Sequence, residues 1–296
     1  MNGKWWDRNW EILNGCSEIS EACVNCFAKG YIRRFEKRQK RWQGLLTSDK
    51  KHWNGAVNLC PENLDIPLRV KKPTVWFVAE RGDLFHEKVT DEFIFRVIAT
   101  LPKTPQHTFI LLTKRAKRMA LFMKEWVEIA FTTTLKCAVP EEHPAHSLRR
   151  DILDHFSTPY LYKNLFSHVY FGITAENQKR LEERLPYLLQ IPGKKIISVE
   201  PMLGPVDLSK YLPIKNEDGT ITFHAEKTLI PERDGIICGG ESGPGARATY
   251  GEWARDLKDQ CASAHVPFFF KSWGSHRLHK GEGRLLDGQE YNELPW

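Results

Sequence analysis

Seven short apolar runs, rich in β-branched and aromatic residues, punctuate the chain. They lie at 9–13 (NWEIL), 74–79 (TVWFVA), 108–113 (TFILLT), 168–173 (HVYFGI), 196–200 (IISVE), 235–240 (GIICGG) and 267–272 (PFFFKS). The middle runs are continuously apolar rather than alternating, the pattern of strands covered on both faces. Between most of them the apolar residues fall at helical spacing, at 90–101, 116–129, 176–190 and 250–264. Strand and helix alternate most regularly in the second half, which is the rhythm of a parallel sheet.

Two stretches interrupt this rhythm. Residues 132–157 are polar, contain VPEEHPAH, and predict an insertion with a short helix. Residues 208–234 contain NEDGTITFHAE, where Asp218-Gly219 beside an alternating run predicts a hairpin on the rim. No repeat, low-complexity tract or linker divides the chain. The expected fold is α/β: a parallel β/α barrel, whole or partial, of the TIM-like kind, forming one domain over 1–296.

Composition narrows the class. The chain has 296 residues, 41% hydrophobic and 27% charged, enough for a large core and too apolar for global disorder. No apolar run approaches the roughly 18 residues that a spanning helix needs. The opening MNGKWWDRNW lacks the apolar core of a secretion signal. The expectations are no membrane partner and a cytoplasmic location. Seven cysteines, an odd number, then suggest metal ligands or catalytic thiols before disulfides. Cys60, Cys137, Cys238 and Cys261 are scattered and are expected as small buried apolar residues.

The net charge of +6 is unevenly placed. Residues 29–51 hold nine basic side chains (Lys29, Arg33, Arg34, Lys37, Arg38, Lys40, Arg41, Lys50 and Lys51) against Glu36 and Asp49, a local net of +7. Tyr31, Phe35 and Trp42 are interleaved. The segment is either a solvated helix face or a nucleic-acid contact, with cations on phosphates and an aromatic on a base.

Each apolar run gives way at once to polar or glycine-rich residues. In parallel α/β folds those carboxyl ends form the active-site face. The turns bring in Glu80, Asp83, His86, Lys114, Glu176, Asn177, Glu200, Glu241, Ser242, Arg247 and Lys271. Glu200 and Lys271 stand at the ends of apolar strands, where an unpaired charge costs several kcal/mol, so each implies a partner or a ligand. The run CGGESGPG lets backbone amides approach a ligand but fits no phosphate-binding signature.

One segment carries the most specific chemistry: NGCSEISEACVNCFAKG at 14–30, with thiols at Cys16, Cys23 and Cys26. If Cys23 and Cys26 share a helical turn, their β-carbons lie about 5–6 Å apart. The six residues before Cys23 let Cys16 fold back to the same centre, and Gly15 frees the backbone beside it. Structural zinc wants a fourth ligand from elsewhere, such as His52, Cys60 or His86. An iron–sulfur cube on three thiolates keeps one iron open. The two centres predict different proteins: a zinc-stabilised nucleic-acid-binding protein without redox chemistry, or a redox enzyme.

The segments GCSEISEACVNCFAKG, ERGDLFHE, LLTKRAKRM, FGITAENQ, SVEPMLGPVDL, IICGGESGPGARA and PFFFKSWG, spread over nearly the whole chain, resemble a phage-associated three-cysteine-motif family of unknown function that is radical-SAM-like. That resemblance implies a 4Fe-4S cluster on Cys16, Cys23 and Cys26, with the open iron chelating S-adenosylmethionine. It implies reductive cleavage to a 5′-deoxyadenosyl radical, fed by an external electron donor. It places Glu80 or Asp83 on the methionine amine, Glu176 and Asn177 on the ribose, and Ser198 in the same cofactor pocket. Lys271, Glu200 and Glu241 are the expected catalytic side chains; His86, Lys114, Ser242 and Arg247 are expected on the substrate. Trp5, Trp6, Trp10 and Phe27 would shield the cluster. The basic segment and the phage setting suggest a nucleic-acid base as substrate, such as a hypermodified phage DNA base in the host cytoplasm.

Overall fold

The computed structural model describes residues 4–135, 165–191, 193–215, 221–222, 228–229 and 233–296. Its main sheet has seven strands: β1 Arg8–Trp10, β2 Val75–Val78, β3 Thr108–Thr113, β4 Val169–Thr174, β5 Lys194–Val199, β6 Gly235–Gly239 and β7 Phe268–Ser272. All neighbouring pairs are parallel. The spatial order follows the chain from β1 to β7 with no reversal. The sheet curls into a half-barrel, so β1 and β7 are edges and the expected barrel is partial.

A monotonic order with crossovers of one hand keeps every crossover on the same side of the sheet. The packing agrees. Among the described residues the longer helices are α1 Phe27–Phe35, α2 Asp91–Ile98, α3 Ala116–Leu135, α4 Gln178–Leu188 and α5 Gly251–Ser263. Apolar residues of α2 to α5 share one large core with Trp76, Val78, Phe109, Leu111, Val169, Phe171, Ile197, Ile236, Phe268 and Phe270. The intervening strand residues point to the concave face, where Phe77, Ile110, Tyr170, Ile196, Ile237 and Phe269 form a second core with Trp5. Burying one such side chain contributes about 1.5–3 kcal/mol. The two cores explain why the middle strands read as unbroken apolar runs.

The concave face has an apolar floor because both ends of the chain fill it. Trp5 packs edge-on to Phe77 at 5.6 Å, and Trp296 lies 5.0 Å from Tyr170 and 6.2 Å from Trp5. Further along the strands the same face turns polar, with Lys114 just past β3, Thr174 on β4, Ser198 on β5, Glu200 just past β5 and Lys271 on β7.

Helix boundaries follow local chemistry. The Thr90 hydroxyl accepts from Phe93 N at the start of α2, and the Asn177 side chain accepts from Arg180 N at the start of α4. Two expectations change. The run 9–13 is not one strand, because the chain turns after Trp10, and Leu13–Asn14 pairs antiparallel with Asn58–Leu59. Helix α3 continues through residues 132–135 instead of stopping at 129; the rest of the expected insertion, 136–157, lies outside the described residues, as does Cys137. The rim hairpin is present as Ile214–Lys215 paired antiparallel with Ile221–Thr222; residues 216–220 lie outside the described residues. Cys60, Cys238 and Cys261 are buried as expected. Among the described residues no helix is long and apolar enough to cross a membrane.

Candidate functional site

The carboxyl ends of the strands surround a cavity of ≈ 220 Å³. One water needs roughly 10–15 Å³ on this measure, so the space accommodates a small molecule. Cys16, Cys23 and Cys26 all stand on its wall, as do Glu80, Asp83, Lys114, Ser198, Glu200, Glu241, Ser242 and Lys271.

The thiol loop is pinned at its start by glycine geometry. Gly15 adopts φ +99°, bridges to Gly82, and donates its N–H to Arg81 O at 3.1 Å. A β-carbon there would stand 2.2 Å from Ala56 O. Cys23 closes a single 3-10 turn, Glu21–Cys23, and Cys26 is the N-cap residue of α1. The two thiols therefore do not share one helical turn, contrary to the simplest reading of their spacing. The exposed Val24 and the half-buried Asn25 separate them.

Each thiol meets a positive group. Lys114 Nζ lies 3.6 Å from Cys23 Sγ, and Arg115 Nη1 lies 3.7 Å from Cys16 Sγ. Cys26 sits at the N-terminus of the nine-residue α1, the positive end of its dipole. Burial pushes the Cys16 thiol up to about 12, with Asp83 adding to the effect and Arg115 opposing it. Burial also pushes Cys23 up, but Lys114 and the backbone amides around Ile19 and Ser20 outweigh it and hold that thiol below the ordinary range.

Asp83, buried, organises these cations. Its Oδ1 accepts from Thr113 Oγ1 at 2.6 Å and Phe85 N at 3.0 Å; its Oδ2 accepts from Arg115 Nη1 at 3.1 Å and Lys114 N at 3.2 Å. With four donors satisfied, Asp83 is a scaffold for the end of β3. Ser17 Oγ accepts from Arg115 Nη2 at 3.0 Å and lies 2.7 Å from His86 Nε2. Lys88 N donates to His86 Nδ1 at 3.1 Å, so the proton is on Nε2 and points at Ser17. His86 is buried behind Ser17 and is not on the cavity wall.

On the opposite wall, Glu80 accepts from the Asn9 amide and has Arg81 at 3.8 Å. Burial raises its carboxyl above the usual range, with Arg81, Lys4 and Lys271 opposing. Asn9 Oδ1 is buried beside it with no hydrogen-bond partner among the described residues. The partner expected for Glu200 and Lys271 turns out to be each other, across β6. Gly239 lies between them, where a β-carbon would come within 3.3 Å of Lys271 Cβ.

Glu241 is also a scaffold. Its carboxylate accepts from Asn25 Nδ2 at 2.9 Å and from Arg247 N and Nε at 2.9 Å, with Arg247 Nη2 on the other oxygen. Arg247 Nη2 also donates to Glu21 O at 3.0 Å, so both residues hold the thiol loop and Arg247 is not on the cavity wall. Glu176 is fully buried, 2.6 Å from Arg184 and 3.8 Å from Lys114. The Asn177 side chain is spent on capping α4. Glu176 and Asn177 thus lie behind the wall. Trp10 packs on the helix side of the sheet with its indole N–H on Asn63 O, so it shields nothing here, whereas Trp5, Trp6 and Phe27 line the cavity.

Sequence reasoning missed Arg115, Ser17 and Asn25. Arg115 was signalled by a second basic residue directly after Lys114. Asn25 was signalled only by its position between two thiols. Among the described residues, no three His, Cys, Asp or Glu side chains gather closely enough to hold a metal ion as they stand. Residues 2–295 match the family described as "Protein of unknown function (DUF5131)". No curated protein and no solved structure matches the chain.

Proposed function

Because the chain belongs to the DUF5131 family, which is defined without a function, we propose from the site's own chemistry that it is a radical S-adenosylmethionine enzyme. One observation carries this reading: three thiols share one cavity wall, each beside a positive group that favours negative sulfur. The donor set suits a 4Fe-4S cluster on Cys16, Cys23 and Cys26. A single ion would need its sulfurs about 2.3 Å from one point, and among the described residues they are not gathered that way. A polynuclear cluster takes separate sulfurs at separate corners.

The chemistry such a group supplies is one-electron cleavage of S-adenosylmethionine to methionine and a 5′-deoxyadenosyl radical, which takes a hydrogen atom from substrate. The residues of the chain perform the rest. Glu80, on the cavity wall, offers a carboxylate acceptor for the methionine ammonium. Lys114 and Arg115 balance negative charge on sulfur. Trp5, Trp6 and Phe77 keep water from the cavity floor. Ser198 and the Glu200–Lys271 pair face the space left for substrate, proposed to be a nucleic-acid base. The electron comes from an external donor.

The test is anaerobic reconstitution with iron and sulfide, then dithionite and S-adenosylmethionine. About four irons per chain and formation of 5′-deoxyadenosine are expected. Cys16→Ala, Cys23→Ala and Cys26→Ala should each lose iron while Cys261→Ala keeps it. A colourless protein carrying one zinc, or full iron in the three variants, would sink the proposal.

A further inference from the structure

The fold sorts the nine basic side chains between Lys29 and Lys51 into two groups. Lys29 is buried against Glu18 at 2.5 Å, Arg41 pairs with Glu11 at 3.2 Å, and Lys50 pairs with Glu36. Arg33, Arg34, Lys37, Arg38, Lys40 and Lys51 remain exposed. Among the described residues, no acidic side chain forms an ion pair with these six. Glu18, Glu11 and Glu36 are therefore consumed internally, Asp49 accepts from Thr47 Oγ1 and Lys51 N within its own turn, and a ridge of cations without ion-pair partners is left along the end of α1 and the turns that follow.

The aromatic residues are sorted in the same way. Trp42 is buried and donates its indole N–H to Glu11 at 2.7 Å. Tyr31 packs edge-on to Trp42 at 5.4 Å, and Arg81 covers its ring at 4.2 Å. Phe35 has the guanidinium of Arg34 at 5.1 Å and that of Arg38 at 4.6 Å. The rings interleaved with the charges are thus packed or stacked already. Guanidinium groups held over a ring lose less side-chain freedom when they grip an oxyanion with two parallel bonds.

We infer that this ridge docks the phosphodiester backbone of a nucleic acid, and does so without reading base identity. Cations placed on phosphates supply affinity and register but no sequence information. Recognition of unpaired bases needs rings free to stack, and this segment's rings are engaged. The ridge also stands near the cavity. Arg33 follows Cys26 by seven residues, roughly 10 Å along α1, and Lys37 stands in the 3-10 turn just beyond its end. A nucleotide turned out of the docked strand would reach the thiol site; this last step rests on the proposed function.

The experiment is fluorescence anisotropy of a labelled mixed-sequence single strand and the matching duplex across a salt series. It compares the native chain, the quadruple reversal R33E/R34E/K37E/R38E, and K280E, which changes an exposed lysine elsewhere. The native chain and K280E should bind, with a log–log salt slope of about −0.7 to −0.9 per phosphate neutralised. The quadruple variant should lose about tenfold or more in affinity, with a flatter slope. Homopolymers of different bases should bind alike. Native-like binding by the quadruple variant, no binding at low salt, strong base preference, or equal displacement by polyglutamate would each overturn the inference. Iron content, measured on the same preparations, tests the cluster separately: oligonucleotide binding without iron retires the proposed chemistry and leaves the ridge.

Discussion

The side-chain amide of Asn25, between two of the three thiols, donates to the carboxylate of Glu241 at 2.9 Å, across 216 positions of sequence. Arg247 grips the same carboxylate and reaches on to the backbone of Glu21. The loop after β1 is thereby clasped to the loop after β6, over the mouth of an open half-barrel. Glu241 and Arg247 are positioning residues for the thiols.

Glu241→Ala strips that clasp and leaves Asn25 and Arg247 without their acceptor. Loss of hydrogen bonds to a charged group costs about 1.5–3 kcal/mol, so the urea midpoint should fall. Amide exchange should rise selectively across 16–27. Unchanged exchange in that segment would mean that the loop is held by something else.

Acid should loosen the same loop first. Hydrogen bonds from Arg180 hold Glu21 at about 2. Burial pushes Glu241 up, but Arg247 and Asn25 outweigh it and hold it below the usual 4.5. A depressed folded-state value means the stabilisation is complete above the ordinary value and is lost as pH falls through the folded one. Protection of amides across 16–27, taken relative to their intrinsic exchange rates, should therefore fall from about pH 4.5 toward pH 2, and Glu21→Gln should remove part of that dependence.

Without metal, the thiols should differ in reactivity. Cys16, pushed up to about 12 mainly by burial, stays protonated at mildly alkaline pH. Cys23, where Lys114 and the hydrogen bonds from Ile19 and Ser20 together outweigh burial, should alkylate faster. Lys114→Met should erase most of the difference. Mass spectrometry of iodoacetamide-treated chain reads both rates, and a Cys23 rate untouched by that change would remove Lys114 from the sulfur.

Gly15 and Gly30 make a matched pair of alanine substitutions. At Gly15, φ is +99° and the new β-carbon would meet Ala56 O at 2.2 Å, so a loss of at least about 1–3 kcal/mol is expected, together with weaker iron loading. At Gly30, inside α1, nothing lies within 4 Å of a β-carbon. Alanine there should stabilise by about 0.5–1 kcal/mol. Thermal unfolding of the two variants gives opposite signs if the loop is built as described.

Glu80→Gln keeps the size of the side chain and removes its charge. S-adenosylmethionine binding should weaken in calorimetry of the reconstituted protein while iron content stays the same. Equal affinity would take Glu80 out of the cofactor site.

The chain's own residues determined six of the seven main strands, the four later helices, the rim hairpin and the burial of Cys60, Cys238 and Cys261, because periodicity and capping act over a few neighbouring positions. They also determined that the polar ends of those strands would meet, since parallel strands put all their carboxyl ends on one side. What only the tertiary structure decided was how the charges divided their partners. Glu200 and Lys271, Glu241 and Asn25, and Lys114 and Cys23 lie 71, 216 and 91 residues apart. A pairing energy depends on distance in space, and no local pattern encodes that distance. Glu176, Asn177 and Arg247 therefore became supports behind the wall, Asp83 a scaffold within it, and Arg115 and Asn25 moved up to the thiols.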